Sequence, residues 1–180
     1  MKRIYLSLLL LIATLTASAQ VSDKENFARN YELAQLGDPT AMYHVGKGYL
    51  DGKGVAKNHD EAFKWFLKAA QMNNVMSIEM VSYMYQYEDG TDFDILESIC
   101  WARKGAELGS GYCMCELGLY YIGFHKLYYG GYVFEDDKDD VEEATELFTD
   151  KKKGIEWLKK SARTGYKFAQ GRLEDMGEKW

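Results

Sequence analysis

Apolar side chains recur along this chain at helical spacing rather than in alternation. Ala62, Phe63, Phe66, Ala69 and Ala70 fall at i, i+1, i+4, i+7 and i+8, one stripe of a helix. The stripes themselves repeat. Ala62-Phe63-Lys64-Trp65 returns as Ser98-Ile99-Cys100-Trp101, Lys68 and Ala70 as Lys104 and Ala106, and Ala41, Val45 and Tyr49 as Ser77, Val81 and Tyr85, every pair 36 residues apart. A third copy opens at Cys113 with Leu117, Gly118 and Tyr121. Its second half, Gly154, Trp157, Lys160, Ala162 and Gly165, stands 56 residues beyond the second-copy counterparts. The third copy therefore carries about 20 extra residues between its halves. Ala169 and Leu173 restart the first half, and Ala34, Leu36 and Gly37 match Ala106, Leu108 and Gly109 two periods on.

Start and stop signals agree with this layout. Asp38 before Pro39 reads as an N-cap followed by proline at the first helical position. Ser22 with Glu25, and Asp94 with Glu97, have capping-box spacing. Gly52 and Gly54 mark a turn within the first unit, and Gly109 and Gly165 mark turns between units. The spacing predicts a leading helix over 23–36, then pairs over 39–51 and 59–72, 75–88 and 95–108, and 111–123 and 152–164. A last helix follows over 167–178. No segment alternates long enough to need a sheet. The expected fold is all-α: about three 36-residue helix-pair repeats, with half-repeats at both ends. The units run over about 41–76, 77–112 and 113–168, with the insertion at about 124–151.

Ala41 to Ala70 reads A-x-x-x-V-G-x-G-Y-x-x-G-x-G-V, then A-x-x-W-x-x-K-A-A. This resembles the Sel-one-like repeat family, relatives of tetratricopeptide repeats, over almost the whole chain after the leader. The second unit departs, with Ser82 where glycine is usual and the second turn glycine missing. The resemblance implies that the helix pairs stack into a right-handed α/α superhelix, a solenoid, whose concave face binds proteins or peptides. It also implies, through cysteine-rich secreted relatives, a link to cell-wall or β-lactam chemistry. Those relatives bridge cysteines across the inter-unit turn, and here Ala106 stands in place of one partner.

The first twenty residues break the repeat. Lys2 and Arg3 precede a mostly apolar run from Ile4 to Leu15, and Ala17 and Ala19 form an A-x-A ending. That is the pattern of a signal peptide over 1–19, leaving a single helical-repeat domain over 20–180 that begins at Gln20. No cysteine follows the small residues, so a lipid anchor is not expected. The run is too short to span a bilayer, and no second apolar stretch is longer, so no membrane insertion is expected after signal removal. The expected location is exported, periplasmic or extracellular. Apolar residues make up 47% of the chain, enough surface to bury that disorder is excluded for most of it. The net charge is −6, and −8 once Lys2 and Arg3 are gone, which argues against nucleic acid as a partner.

Candidate chemistry is sparse. Trp65, Trp101 and Trp157 occupy one place in three units, as do Tyr49, Tyr85 and Tyr121. Positions that repeat in a solenoid serve the repeated core, so all six are expected to pack between helices rather than anchor a partner. His44, His59 and His125 lie in separate elements without i, i+4 pairing, so no metal and no cofactor are expected. No serine has lysine three residues later and no Gly-x-Ser-x-Gly elbow exists, so no catalytic residue is assigned. Three cysteines leave at least one thiol outside any intrachain bridge. A hairpin turning near Gly109 sets Cys113 opposite Ala106 and Cys100 opposite Leu119, so no pair is level. Cys113, near a helix start, has the best claim to reactivity, against the commoner fate of a buried thiol.

The insertion is the individual feature. Tyr128, Tyr129 and Tyr132 precede an acidic run that starts with Glu135, Asp136 and Asp137. Aromatic area beside charge suits a partner-binding loop built on Tyr128, Tyr129, Tyr132, Asp136 and Asp137, or else a solvated loop. The expected function is a secreted or periplasmic non-enzymatic scaffold that binds a protein or peptide. The alternative is an envelope glycan binder or a cell-wall- or β-lactam-active enzyme, and a role in secretion or polysaccharide export is a third analogy.

Overall fold

The computed structural model describes residues 22–123 and 150–180. The leader, His125, and the insertion residues Tyr128, Tyr129, Tyr132, Asp136 and Asp137 lie outside the described residues. The described residues form eight helices and no strand: α1 over 22–35, α2 Pro39–Asp51, α3 His59–Gln71, α4 Val75–Tyr87, α5 Ile95–Glu107, α6 Gly111–Tyr121, α7 Lys151–Arg163 and α8 Lys167–Asp175. All eight expected helices are present.

Capping explains where they start. Asp38 accepts from the Thr40 and Ala41 amides at 2.7 and 3.1 Å, Asn58 from Glu61 at 3.0 Å and Asp94 from Glu97 at 2.9 Å. Ser110 and Asp150 do the same for Cys113 and Lys153. Each cap is worth about 1 kcal/mol. The stops are left-handed residues. Gly37, Gly109 and Gly165 have φ of 95°, 92° and 90°, and Asn73 takes the equivalent place at 64°. After each of the first three of these sites in chain order, the next amide reaches back across the turn: Asp38 to the Leu33 carbonyl, Asn74 to Ala69 and Ser110 to Gly105.

Two expectations need correction. The second unit keeps its second turn glycine: Gly90, φ 77°, matches Gly54, φ 76°. The residue that departs is Glu88, which replaces Gly52 and holds φ 53°. Cys113 faces Gly105, not Ala106, because the α5–α6 hairpin pivots on Gly109 itself; a Cβ at Gly105 would strike the Cys113 sulfur.

The chain divides into two compact units between Asn74 and Val75. In the first, α1, α2 and α3 enclose Ala34, Ala41, Met42, Val45, Trp65 and Ala69, with Phe27 and Tyr49 against them. Helices α2 and α3 approach closely because Gly46 has no side chain: a Cβ there would lie 2.7 Å from the fully buried Phe66. In the second, the α6–α7 crossing works likewise, with Gly118 against Leu158 and Gly154 against the Gly118 carbonyl. The α4–α5 crossing is different. Ser82 donates to the Ser98 carbonyl at 2.9 Å, and Ser98 donates to the Ser82 carbonyl at 2.7 Å. The buried Tyr120 hydroxyl joins Ser98 at 3.0 Å. Reciprocal hydroxyl bonds replace glycine contact and fix the rotation of α4.

Candidate functional site

Every repeated aromatic lies in or beside the core. Trp65 and Tyr121 are buried; Trp101, Trp157, Tyr49 and Tyr85 are half-buried. Trp65 meets Tyr31 edge-on at 5.5 Å, and Tyr49 meets Phe27 at 5.4 Å. Each tryptophan carries the lysine three residues on: Lys68, Lys104 and Lys160 stand 4.6, 5.0 and 4.0 Å over Trp65, Trp101 and Trp157. A lysine stem and ammonium therefore cover what the helices leave open.

The exposed stripe of the first helix of each pair does not repeat. On α2 it carries Thr40, Tyr43, His44, Lys47 and Asp51; on α4, 36 residues later, Met76, Glu79, Met80, Tyr83 and Tyr87. Lys47 and Asp51 form an i, i+4 ion pair of 3.1 Å. In the same places Tyr83 and Tyr87 form a ring pair with centroids 4.5 Å apart, 40% and 49% exposed. Met76 is 45% exposed. Because Ser82 is locked inward, Tyr83, one residue or about 100° on, is held outward.

Glu79 accepts from Ser110 at 2.6 Å, and that hydroxyl in turn caps α6 through Cys113 at 3.0 Å. Burial holds the Tyr112 hydroxyl far above its ordinary range, with Glu116 adding to the shift. Burial pushes Tyr166, which meets Tyr112 edge-on at 6.3 Å, to about 12. Glu88, at the end of the stripe, adds a carboxylate at the cost of a left-handed backbone, about 1 kcal/mol that Gly52 avoids.

The two buried thiols offer no nucleophile. Cys113 and Cys115 are buried, and burial pushes each to about 12, leaving almost no thiolate at neutral pH. Cys100 is exposed, and none of the three is in a disulfide. Among the described residues no cluster of three His, Cys, Asp or Glu could hold a metal, and no helix is long and apolar enough to cross a membrane. An open cleft of about 350 Å³ lies between α1 and α2, lined by Asp23, Asn26, Asn30, Tyr43, Lys47 and Asp51 among others. Its acids are balanced by Lys47 and Lys53.

Helix hairpins that repeat their contacts every 36 residues define an all-α repeat protein of the solenoid class. The Sel1 repeat family matches residues 39–74, 75–110 and 111–166, and the chain belongs to that family. A crystal structure of a Sel1 repeat protein from Oxalobacter formigenes superposes with a TM-score of 0.64 at 26% identity, covering 82% of this chain and 96% of that one. A protective antigen of uropathogenic Escherichia coli with the same repeat fold gives 0.50 at 22% identity, over 93% and 43%. An uncharacterized Sel1-like repeat-containing protein of Schizosaccharomyces pombe is 25% identical over 116 residues, 63% of this chain and 18% of that one. The Arabidopsis thaliana ERAD-associated E3 ubiquitin-protein ligase component HRD3A is 38% identical over 53 residues, 29% and 8%. The chain thus spans under a fifth of these curated relatives. Sel1-repeat proteins are generally protein-interaction scaffolds.

The tyrosine pair on α4 sits at positions that do not recur, so the 36-residue pattern does not reveal it. The available signal was the mismatch: Lys47 and Asp51 becoming Tyr83 and Tyr87.

Proposed function

We propose that this chain is an exported scaffold that binds a protein or peptide, in the periplasm or outside the cell, on a curved helical-repeat surface. The observation that carries the binding role is the Tyr83–Tyr87 pair, large and exposed where the preceding repeat is charged and self-paired. Tyrosine supplies contact area at low entropic cost, which is why it is enriched where proteins meet. The leader pattern over 1–19 supports export. In the same reading the insertion's Tyr128, Tyr129, Tyr132, Asp136 and Asp137 form a second contact element.

The test is purification of the tagged chain from its host after fractionation. Expected are an intact mass that begins at Gln20 and stoichiometric co-elution of a defined protein. A retained Met1 overturns export. Retention on the sacculus with bond cleavage, and no protein partner, overturns the scaffold.

A further inference from the structure

The α4 face has a chemical bias. Its stripe of Met76, Met80, Tyr83 and Tyr87 falls at i, i+4, i+7 and i+11, about 16 Å of helix. The helix contains no Lys, Arg or His. Residues 75–94 hold five acids, Glu79, Glu88, Asp89, Asp92 and Asp94, and no base. Glu79 lies within the stripe, and Glu88 and Asp89 follow Tyr87 at the C-terminal end, where the helix dipole is also negative. Helix α6, tied to Glu79 through Ser110, brings Glu116 and no basic residue. Tyrosine ring faces attract cations.

From this charge pattern we propose that the α4 face docks a basic amphipathic segment of a partner protein. Its large apolar side chains would lie on Met76, Tyr83 and Tyr87, and its Lys or Arg side chains would reach the tyrosine faces and flanking carboxylates. The proposal rests on the scaffold reading and names the partner's chemistry. The α2 face, with Lys47 already paired to Asp51, offers neither the apolar stripe nor the excess of acidic over basic residues.

The test uses the full exported chain and two labelled synthetic peptides with one leucine pattern, one carrying lysine and the other glutamate at the polar positions. The lysine peptide should bind at least tenfold more tightly. Tyr83→Lys with Tyr87→Asp installs the ion pair that α2 already tolerates and leaves the net charge unchanged. That double variant should lose at least tenfold in affinity for the lysine peptide, with its helical circular dichroism retained. Tyr83→Phe with Tyr87→Phe should keep binding within about threefold. Equal binding of both peptides, or lysine-peptide binding that survives Y83K/Y87D, overturns the proposal. A native partner that binds Y83K/Y87D as tightly as the unaltered chain overturns it too, yet leaves the scaffold reading standing. If no protein partner binds the unaltered chain, the scaffold reading itself fails.

Discussion

Helices α2 and α4 are the same element 36 residues apart, and they agree on one side only. Inward, Ala41, Val45 and Tyr49 return as Ser77, Val81 and Tyr85. Outward, a 3.1 Å ion pair gives way to a tilted pair of tyrosine rings, and Gly52 gives way to Glu88. The inward positions answer to a neighbouring helix that recurs in every repeat. The outward positions answer to something that does not recur. In a repeat protein the fold is read from what matches, and the binding face from what fails to match.

The inward side can be broken first. Phe66→Ala empties the space that Gly46 leaves for a fully buried ring and should cost about 3–5 kcal/mol in denaturant titration. Alkaline pH should strike the second unit, which alone among the described residues holds cysteines. Burial raises Cys113 and Cys115 from the ordinary 9.0 to about 12, so the folded state holds their protons more tightly than the unfolded state does. Their contribution is complete below about pH 9 and is lost as pH rises toward 12, about 2–3 kcal/mol per thiol by pH 11. Hydrogen exchange across that range should show α6 opening before α2. Ser98→Ala removes the bonds of its hydroxyl to Ser82 and Tyr120 and should cost about 1–2 kcal/mol.

The outward side should respond in the opposite sense. Glu88→Gly relieves a left-handed backbone and should stabilise by about 0.5–1 kcal/mol, while weakening a basic partner. A loss of stability there would mean that Glu88 is held by the fold rather than kept for a partner.

Much of this was legible in the sequence because helix pairs impose strict recurrence. Asp38, Asp94 and the glycines at 37, 109 and 165 mark the ends. The hydroxyl network of Ser82, Ser98 and Tyr120 was not legible. Its members are 16 and 22 residues apart, and a serine in a glycine position reads only as a departure. Cys113 takes the commoner fate expected of it, burial, but its seat against Gly105 was not legible, because the hairpin register differs by one residue from the one the sequence predicts. The half-exposure of Trp101 and Trp157 was hidden because their covering groups, Lys104 and Lys160, look like solvated charges in a sequence.

If α4 rather than α2 presents the docking face, a site-specific photo-crosslinker will distinguish the two helices. p-Benzoylphenylalanine in place of Tyr83 and, separately, in place of Lys47 puts the same probe at the same helical position of two repeats. Irradiation in the native compartment should give a covalent adduct with one defined protein from position 83, the attachment mapping to a segment rich in Lys or Arg. Position 47 should give little. An adduct from position 47 in equal or greater yield than from position 83 would mean that α4 is not the docking face.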